Sequence, residues 1–142
     1  MICTFFGHRE CPKDIEAKLE QTIKELIEKE NVDMFYVGNQ GGFDSMVRKS
    51  LTLLKKQYIN INYYVVLAYM PGEKTEFDNL DSEYTIYPEG LENVPLRYAI
   101  PKRNLWMIKK SDFVITYVRY TVGGAAHFKE IAEKENKKVI NI

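Results

Sequence analysis

A buried strand followed by a glycine pair and a helix is the feature that most limits how this chain can fold. The segment Asp112–Val118 is almost continuously apolar, which is typical of a strand covered on both faces. Gly123 and Gly124 follow it, and Ala125–Ala132 has the composition of a helix. Strands buried on both faces belong to parallel sheets, which bind ligands at the carboxyl ends of their strands. The segment therefore predicts an α/β fold with a ligand-binding turn, although a glycine pair before a helix is also a common plain turn.

Strands and helices alternate along the rest of the chain as well. Alternation of this kind produces parallel βαβ units with right-handed crossovers. The sequence therefore predicts an α/β Rossmann-like three-layer sandwich with a mostly parallel sheet, as a single domain over residues 1–142. Strands are expected at Ile2–Phe6, Asp33–Gly38, Ile61–Met70, Tyr84–Tyr87, Asp112–Val118 and Lys138–Ile142. Helices are expected from Pro12 or Lys13, over Phe43–Tyr58, from Arg97 or Ile100 to Lys110, and from Ala125, with an irregular acidic loop from Pro71 to about Ser82.

Charge and hydropathy limit the partners that we expect. The 20 Lys and Arg residues balance 20 Asp and Glu residues, so the chain lacks the basic surplus of a broad nucleic-acid-binding face. A nucleic-acid partner is therefore not expected, although a local basic pocket stays open. The longest apolar run, Tyr63–Met70, is too short to span a bilayer. The N-terminus does not look like a secretory signal, because no basic segment precedes its first strand. No membrane association is expected.

The cysteine and histidine residues predict neither disulfides nor a metal site. Cys3 falls in the first strand and Cys11 in the loop after it, which indicates two free thiols in a reducing cytoplasm. His8 and His127 are too few and too isolated to suggest zinc, and we expect no cofactor or metal. The ten tyrosines fit either a stacking wall for a base or a subunit interface, and a homo-oligomer is expected.

Three strands of the predicted sheet end in loops that combine glycine with polar side chains. The carboxyl ends of parallel strands lie at the same edge of a sheet, so these loops can converge on one pocket. Each loop alone is explained equally well as an ordinary turn, but the three together favour a ligand site. The candidate ligand-binding residues are Gly7, His8 and Arg9 after the first strand, Gly38, Asn39, Gln40, Gly41, Gly42 and Asp44 after the second, and Gly123 and Gly124 after the fifth.

Charged residues near these loops suit a phosphorylated small molecule, with a nucleotide or sugar phosphate as the first expectation. Arg9 and Arg103 can each make a forked, charge-assisted contact to phosphate, and Arg103 is not expected to belong to the core. Glu130 can accept hydrogen bonds from sugar hydroxyls, with pairing to Lys134 at i+4 spacing as the alternative. Asp44 is explained equally well as an acid in the first turn of a helix.

At these residues the chain resembles the SLOG superfamily, named for the DprA/Smf and LOG (lonely guy) proteins. Arg103, Met107 and Ser111-Asp112 match the first part of the superfamily signature. Val122–Glu130 aligns without a gap to the second part, Pro-Gly-Gly-x-Gly-Thr-x-x-Glu, and keeps the glycine pair and the final Glu. The Gly-His-Arg sequence near the N-terminus resembles the small YpsA-like branch. Four positions depart from the signature: Asn104 replaces Lys, Val122 replaces Pro, Ala126 replaces Gly and His127 replaces Thr.

The resemblance implies a Rossmann-like fold that handles nucleotides. LOG-type members are phosphoribohydrolases, which cleave the N-glycosidic bond of nucleoside 5′-monophosphates. In that reading Arg103 and Glu130 are the catalytic residues at the glycosidic centre and ribose, and the glycine turn takes the phosphate. The altered glycine motif favours a second reading, a non-catalytic sensor or sequestering protein for a nucleotide-derived signal. A third reading, a DprA-like nucleic-acid partner, is disfavoured by the zero net charge and the small size.

Overall fold

The computed structural model describes residues 1–70 and 84–142, and within them six strands form one sheet with four α-helices. The strands are β1 (Ile2–Gly7), β2 (Met34–Val37), β3 (Asn62–Val66), β4 (Thr85–Ile86), β5 (Phe113–Tyr117) and β6 (Lys138–Asn141). The α-helices are α1 (Glu16–Glu30), α2 (Gly41–Gln57), α3 (Leu96–Lys110) and α4 (Gly124–Lys134), and short 3-10 turns occupy Lys13–Ile15 and Leu91–Asn93.

The strand order is β4-β3-β2-β1-β5-β6, and all five neighbouring pairs are parallel. The chain first adds strands on one side of β1 and then crosses to the other side, where β5 and β6 complete the sheet. The carboxyl ends of β1 and β5 therefore flank the point at which the direction of winding reverses, which is where doubly wound sheets place their ligands. The predicted α/β Rossmann-like sandwich is confirmed.

Alternate residues of the strands face two different helix layers, because successive side chains of a strand point to opposite faces. Phe5 belongs to the larger core, which also contains the buried apolar residues of α1 and α2. Its neighbour Phe6 belongs to the core beneath α3 and α4 and stacks on Phe128 with ring centroids 5.6 Å apart. Both faces of the sheet are thus buried, which explains the continuous apolar composition of the central strands.

The third strand is shorter than the sequence predicts. Its apolar run continues to Met70, but β3 ends at Val66. A strand lasts only as long as its neighbours supply hydrogen-bond partners, and β2 ends at Val37 opposite Val65 while β4 is two residues long. The predicted acidic loop from Pro71 to about Ser82 lies outside the described residues.

Candidate functional site

A pocket of about 440 Å³ opens at the carboxyl ends of β1, β2 and β5. Its volume lies within the range of small-molecule sites. Residues from all three glycine-containing loops line it, so the predicted convergence of the loops is found in the structure. The candidate residues that line the pocket are Gly7, His8, Arg9, Gln40, Asp44, Arg103 and Gly124.

Backbone contacts hold the three loops together as one unit. The Gly42 N–H donates to the Arg9 carbonyl oxygen at 2.6 Å and joins the loop after β1 to the start of α2. On the other side, the His8 N–H donates to the Tyr117 carbonyl oxygen at 3.3 Å, and the Arg119 N–H donates to His8 Nε2 at 2.8 Å. The loop after β1 is therefore fixed from both sides, and it forms the middle of the site.

Three further candidate glycines do not line the pocket but allow its walls to come together. A Cβ on Gly38 would lie 2.6 Å from Asp44 Oδ2 and 3.2 Å from Arg103 Cζ, and a Cβ on Gly42 would lie 2.6 Å from the Arg9 carbonyl oxygen. Gly41 has a φ of +84°, in the left-handed region that favours glycine. These glycines act by allowing close approach within the protein.

The expectation that Arg103 stays out of the core is wrong. Arg103 is 2% exposed, and its guanidinium lies at the base of the pocket, where Nη1 donates to the Val66 carbonyl oxygen at 2.8 Å. Nε donates to Asn104 Oδ1 at 2.8 Å, and a longer contact of 3.4 Å joins Nη1 to Asn39 Oδ1. The prediction failed because the turn of α3 that carries Arg103 faces the sheet and not the solvent. Arg103 ties α3 to β3 and to the loop after β2.

Asp44 is the charge that faces Arg103. Its Oδ2 accepts the Gln40 N–H at 3.0 Å, so it does cap α2, and it also lines the pocket. The capping and site readings of Asp44 are therefore compatible. Burial raises the pKa of Asp44, while Arg103, the Gln40 N–H and Arg48 oppose part of that rise. Burial also disfavours the charged form of Arg103 and so lowers the pKa of Arg103 below its usual range, while the negative charge of Asp44 opposes part of that fall.

Two polar atoms beside this pair have no hydrogen-bond partner among the described residues. They are Asn39 Nδ2, a donor, and Gln40 Oε1, an acceptor. A buried polar atom without a partner costs free energy, so such atoms often mark a place where a ligand completes the hydrogen bonding. Gln40 lines the pocket, whereas Asn39 lies behind it against Arg103. The Gln40 side chain therefore lies at the pocket with one hydrogen bond unmade, although its Oε1 atom is itself buried.

The two helices that begin at this edge differ in their capacity to bind an anion. The first turn of α2 contains Asp44, and its Gly42 N–H is occupied by the Arg9 carbonyl. The first turn of α4 contains no acid, and no side chain caps it. An anion is favoured where N–H groups and the positive end of a helix are not already neutralised. The start of α4, where Gly124 and Ala125 line the pocket, is the better place for a phosphate.

The two glycines at the start of α4 have different conformations, a difference that the sequence does not show. Gly123 has a φ of +106°, which strains any other residue, while Gly124 has an ordinary φ and open space where a Cβ would lie. We expect Gly123→Ala to lower the free energy of unfolding by about 1–2 kcal/mol. Gly124→Ala is expected to leave it nearly unchanged. Urea unfolding followed by circular dichroism compares the two variants, and equal stabilities would contradict this division.

Glu130 and His127 lie away from the pocket. Glu130 is exposed and its Oε1 pairs with Lys134 Nζ at 3.0 Å, which is the alternative that the i+4 spacing allows. The pairing with Lys134 lowers the pKa of Glu130. A catalytic role for Glu130 stays a prediction without a contact to the pocket in this structure. His127 is exposed as well, with its ring against Phe128.

Part of the pocket wall is absent from the sequence predictions. Ile100 and Pro101 of α3 line it. Pro101 lies inside the helix, where it cannot donate the usual backbone hydrogen bond. A proline in a helical segment two residues before Arg103 was the signal in the sequence that could have drawn attention to this wall.

Fold and pocket together define a Rossmann-like α/β protein with an open site at the carboxyl edge of a parallel sheet. DNA processing protein A (DprA) from Streptococcus pneumoniae shares this fold, with a TM-score of 0.66 and 20% identity over 96% of this chain. DprA from Helicobacter pylori is similarly related, with a TM-score of 0.66 and 15% identity over 98% of this chain. The chain spans 48% and 63% of those two proteins. No family model and no curated protein matches it.

These likenesses establish the fold and are consistent with the resemblance to the SLOG superfamily. They also contradict the expectation that a nucleic-acid partner is unlikely, because the H. pylori structure concerns a single-stranded DNA binding mode of DprA. Net charge alone does not exclude such a partner, because nucleic-acid binding depends on where charges lie as well as on their sum. In the described part of the chain, no helix is long and apolar enough to cross a membrane.

Proposed function

We propose that this protein binds a nucleotide or a nucleotide-derived ligand at the carboxyl edge of its sheet. The observation that carries the proposal is the convergence of three loops on one pocket that is lined by the cation Arg9 and by Gln40. A nucleotide offers matching groups, because its phosphate suits the arginine and a helix N-terminus. Its sugar hydroxyls and its base offer hydrogen-bonding groups to the Gln40 side-chain amide.

The phosphate in this proposal lies at the start of α4. The absence of an acid from the first turn of α4, and the presence of Asp44 in the first turn of α2, support that choice. Arg9 is exposed at the pocket, and the described residues supply no ion-pair partner for its guanidinium. It is therefore available to a ligand, whereas Arg103 is already committed to Val66 and Asn104.

Binding without cleavage is the form of the function that the side chains support best. Cleavage of a glycosidic bond in the predicted manner needs a carboxylate that faces the reacting sugar carbon or its water. Glu130 pairs with Lys134 on the outer face of α4, and Asp44 is engaged by the Gln40 N–H and faces Arg103. A sensor or sequestering protein is therefore favoured over a phosphoribohydrolase, and Asp44 is the carboxylate to test if cleavage is found.

Single-stranded DNA is the second candidate ligand. It is favoured by the single-stranded DNA binding mode described for DprA from H. pylori, whose fold this chain shares. One nucleotide of a strand presents a phosphodiester, a deoxyribose and a base, which are similar to the groups of a free mononucleotide. The two candidates differ in salt dependence, because a strand contacts several phosphates and releases several counterions.

Calorimetric titration with AMP, ribose 5-phosphate, adenosine and a short oligothymidylate tests the proposal. Tight binding of AMP with a weak salt dependence would support a mononucleotide site. Preference for the oligonucleotide with a steep salt dependence would support the second candidate. Chromatography of the same mixtures detects released adenine. Release of adenine would show cleavage of the N-glycosidic bond and would support the phosphoribohydrolase. A protein that binds none of the four compounds would contradict the proposal.

Arg9→Ala is expected to weaken AMP binding about tenfold or more, since a hydrogen bond to a charged group is lost at the pocket. The fold should survive, because the contact from Gly42 uses the backbone carbonyl of Arg9 and not its side chain. Arg97→Ala is the matched control: Arg97 is exposed on α3, stacks over Tyr98 and does not line the pocket. Equal affinities in the two variants would remove Arg9 from the phosphate site.

A further inference from the structure

An exposed aromatic ring lies beside the pocket, in the loop between β5 and α4. Tyr120 is 67% exposed, and its ring centroid is 4.9 Å from that of His8, which lines the pocket. A tyrosine so exposed gains little from burial, so its position is not explained by the core. Its ring extends the aromatic surface of His8 outward from the pocket.

The His8 ring is held in place by contacts on its other sides. Its Nε2 accepts the Arg119 N–H at 2.8 Å, so in the neutral ring the proton is on Nδ1. Its edge packs against Tyr117, with centroids 5.6 Å apart and an interplanar angle of 80°. The Arg119 guanidinium covers the Tyr117 ring at 4.3 Å. His8 is thus a fixed support, and Tyr120 is the freely accessible ring of the pair.

The start of the same loop is fixed from β6. Asn141 Oδ1 accepts the Val118 N–H at 2.9 Å and the Thr116 hydroxyl at 2.9 Å, and its Nδ2 donates to the Val118 carbonyl at 3.1 Å. The loop therefore leaves β5 in a defined direction and presents Tyr120 beside His8. Three residues later it reaches Gly123 and the start of α4, where the proposed phosphate site lies.

We propose that Tyr120, supported by His8, is the base-binding subsite of the nucleotide site. The inference rests on the proposed function and deepens it, because it assigns the purine or pyrimidine ring to a named surface. Aromatic side chains bind bases by stacking on their π faces, which is strong and tolerant of base identity. One loop would then bind both ends of the ligand, with the base at Tyr120 and the phosphate at the α4 N-terminus.

The subsite predicts a ligand that carries an aromatic base and little selection among bases. In the described residues around Tyr120 and His8, the contacts are ring faces and edges, and the acceptor nitrogen of His8, Nε2, is already taken by the Arg119 N–H. Discrimination among bases requires hydrogen bonds to their edges, and ring faces do not supply these. AMP, GMP and CMP are therefore expected to bind with similar affinities.

The test compares Tyr120→Ala, Tyr120→Phe and the control Tyr98→Ala, using AMP and ribose 5-phosphate as ligands. Tyr98 is an exposed tyrosine of α3 that does not line the pocket. We expect Tyr120→Ala to weaken AMP binding by roughly 5- to 150-fold, the contribution of one stacked base, and to leave ribose 5-phosphate unaffected. Tyr120→Phe and Tyr98→Ala should bind AMP as the unchanged protein does.

Each remaining outcome would overturn the subsite. Unchanged AMP affinity in Tyr120→Ala would show that the ring does not contact the base, and would leave Tyr120 to a partner protein. Equal loss of AMP and ribose 5-phosphate would show that the substitution disturbs the loop and not a stack. If the unchanged protein binds neither AMP nor ribose 5-phosphate, the mononucleotide site on which the subsite rests fails, and that result is distinct from the other two.

Discussion

Alanine in place of Arg103 is expected to lower the free energy of unfolding by about 3 kcal/mol or more, because two buried hydrogen bonds from a charged group are lost and their acceptors are left unpaired. The side chain is 2% exposed and donates to the Val66 carbonyl and to Asn104 Oδ1. Its removal leaves these acceptors unpaired and the Asp44 carboxylate buried without its facing cation. Urea unfolding followed by circular dichroism measures the loss.

Two controls separate this explanation from a general effect on α3. Arg97→Ala removes an exposed arginine of the same helix and is expected to cost at most about 1 kcal/mol, since only a surface contact with Tyr98 is lost. The double variant Arg103→Met with Asp44→Asn removes both charges and should be more stable than the sum of the single changes predicts. An Arg103→Ala protein as stable as Arg97→Ala would refute the structural role of this arginine.

Gly7→Ala is expected to cost about 3 kcal/mol, the upper end of the range for overpacked cores. Gly7 pairs with Tyr117 at the end of β1, and a Cβ there would overlap the Phe43 side chain at its Cβ, Cγ and Cδ2 atoms. Phe43 cannot move aside easily, because it is buried and stacks on Tyr117 with centroids 6.3 Å apart. Thermal and urea unfolding of the variant measure the cost.

The steric origin of that cost can be tested with two further proteins. Gly124→Ala places the same methyl group at another glycine of the pocket, where no atom lies within 4 Å, and should leave stability unchanged. Phe43→Leu should cost less in the Gly7→Ala background than alone, because the smaller side chain relieves the overlap. Additive effects of the two substitutions would argue against a clash between these residues.

The losses of stability expected for Arg103→Ala and Gly7→Ala indicate a site with a rigid, buried base and more accessible residues around it. Arg103 and Asp44 line the pocket but are buried, and Phe43 is buried against Gly7 and Tyr117. Arg9 and Tyr120 are exposed beside it, and their replacement is expected to affect binding and not stability. A fixed base with accessible contact residues is how binding sites limit the entropy lost on association.

The sequence by itself determined the order and type of the elements and the place of the site. Apolar periodicity is a local property, so the strand Asp112–Val118 and the helix after Gly124 could be recognised without tertiary information. The parallel arrangement then required the loops after β1, β2 and β5 to meet at one edge, and the pocket lies there. The resemblance to the SLOG superfamily gave the same fold, which the DprA structures support.

Only the tertiary structure decided what each charged side chain does. Arg103 is buried against Val66, which lies 37 residues earlier in the chain, while Glu130 pairs with Lys134 on the outside of α4. Sequence alone treated both as pocket residues, because the rotation of a helix about its axis depends on the packing of its whole apolar face. The contact between His8 and Tyr120 was invisible for the same reason, since it joins loops 112 residues apart that only the pairing of β1 with β5 brings together.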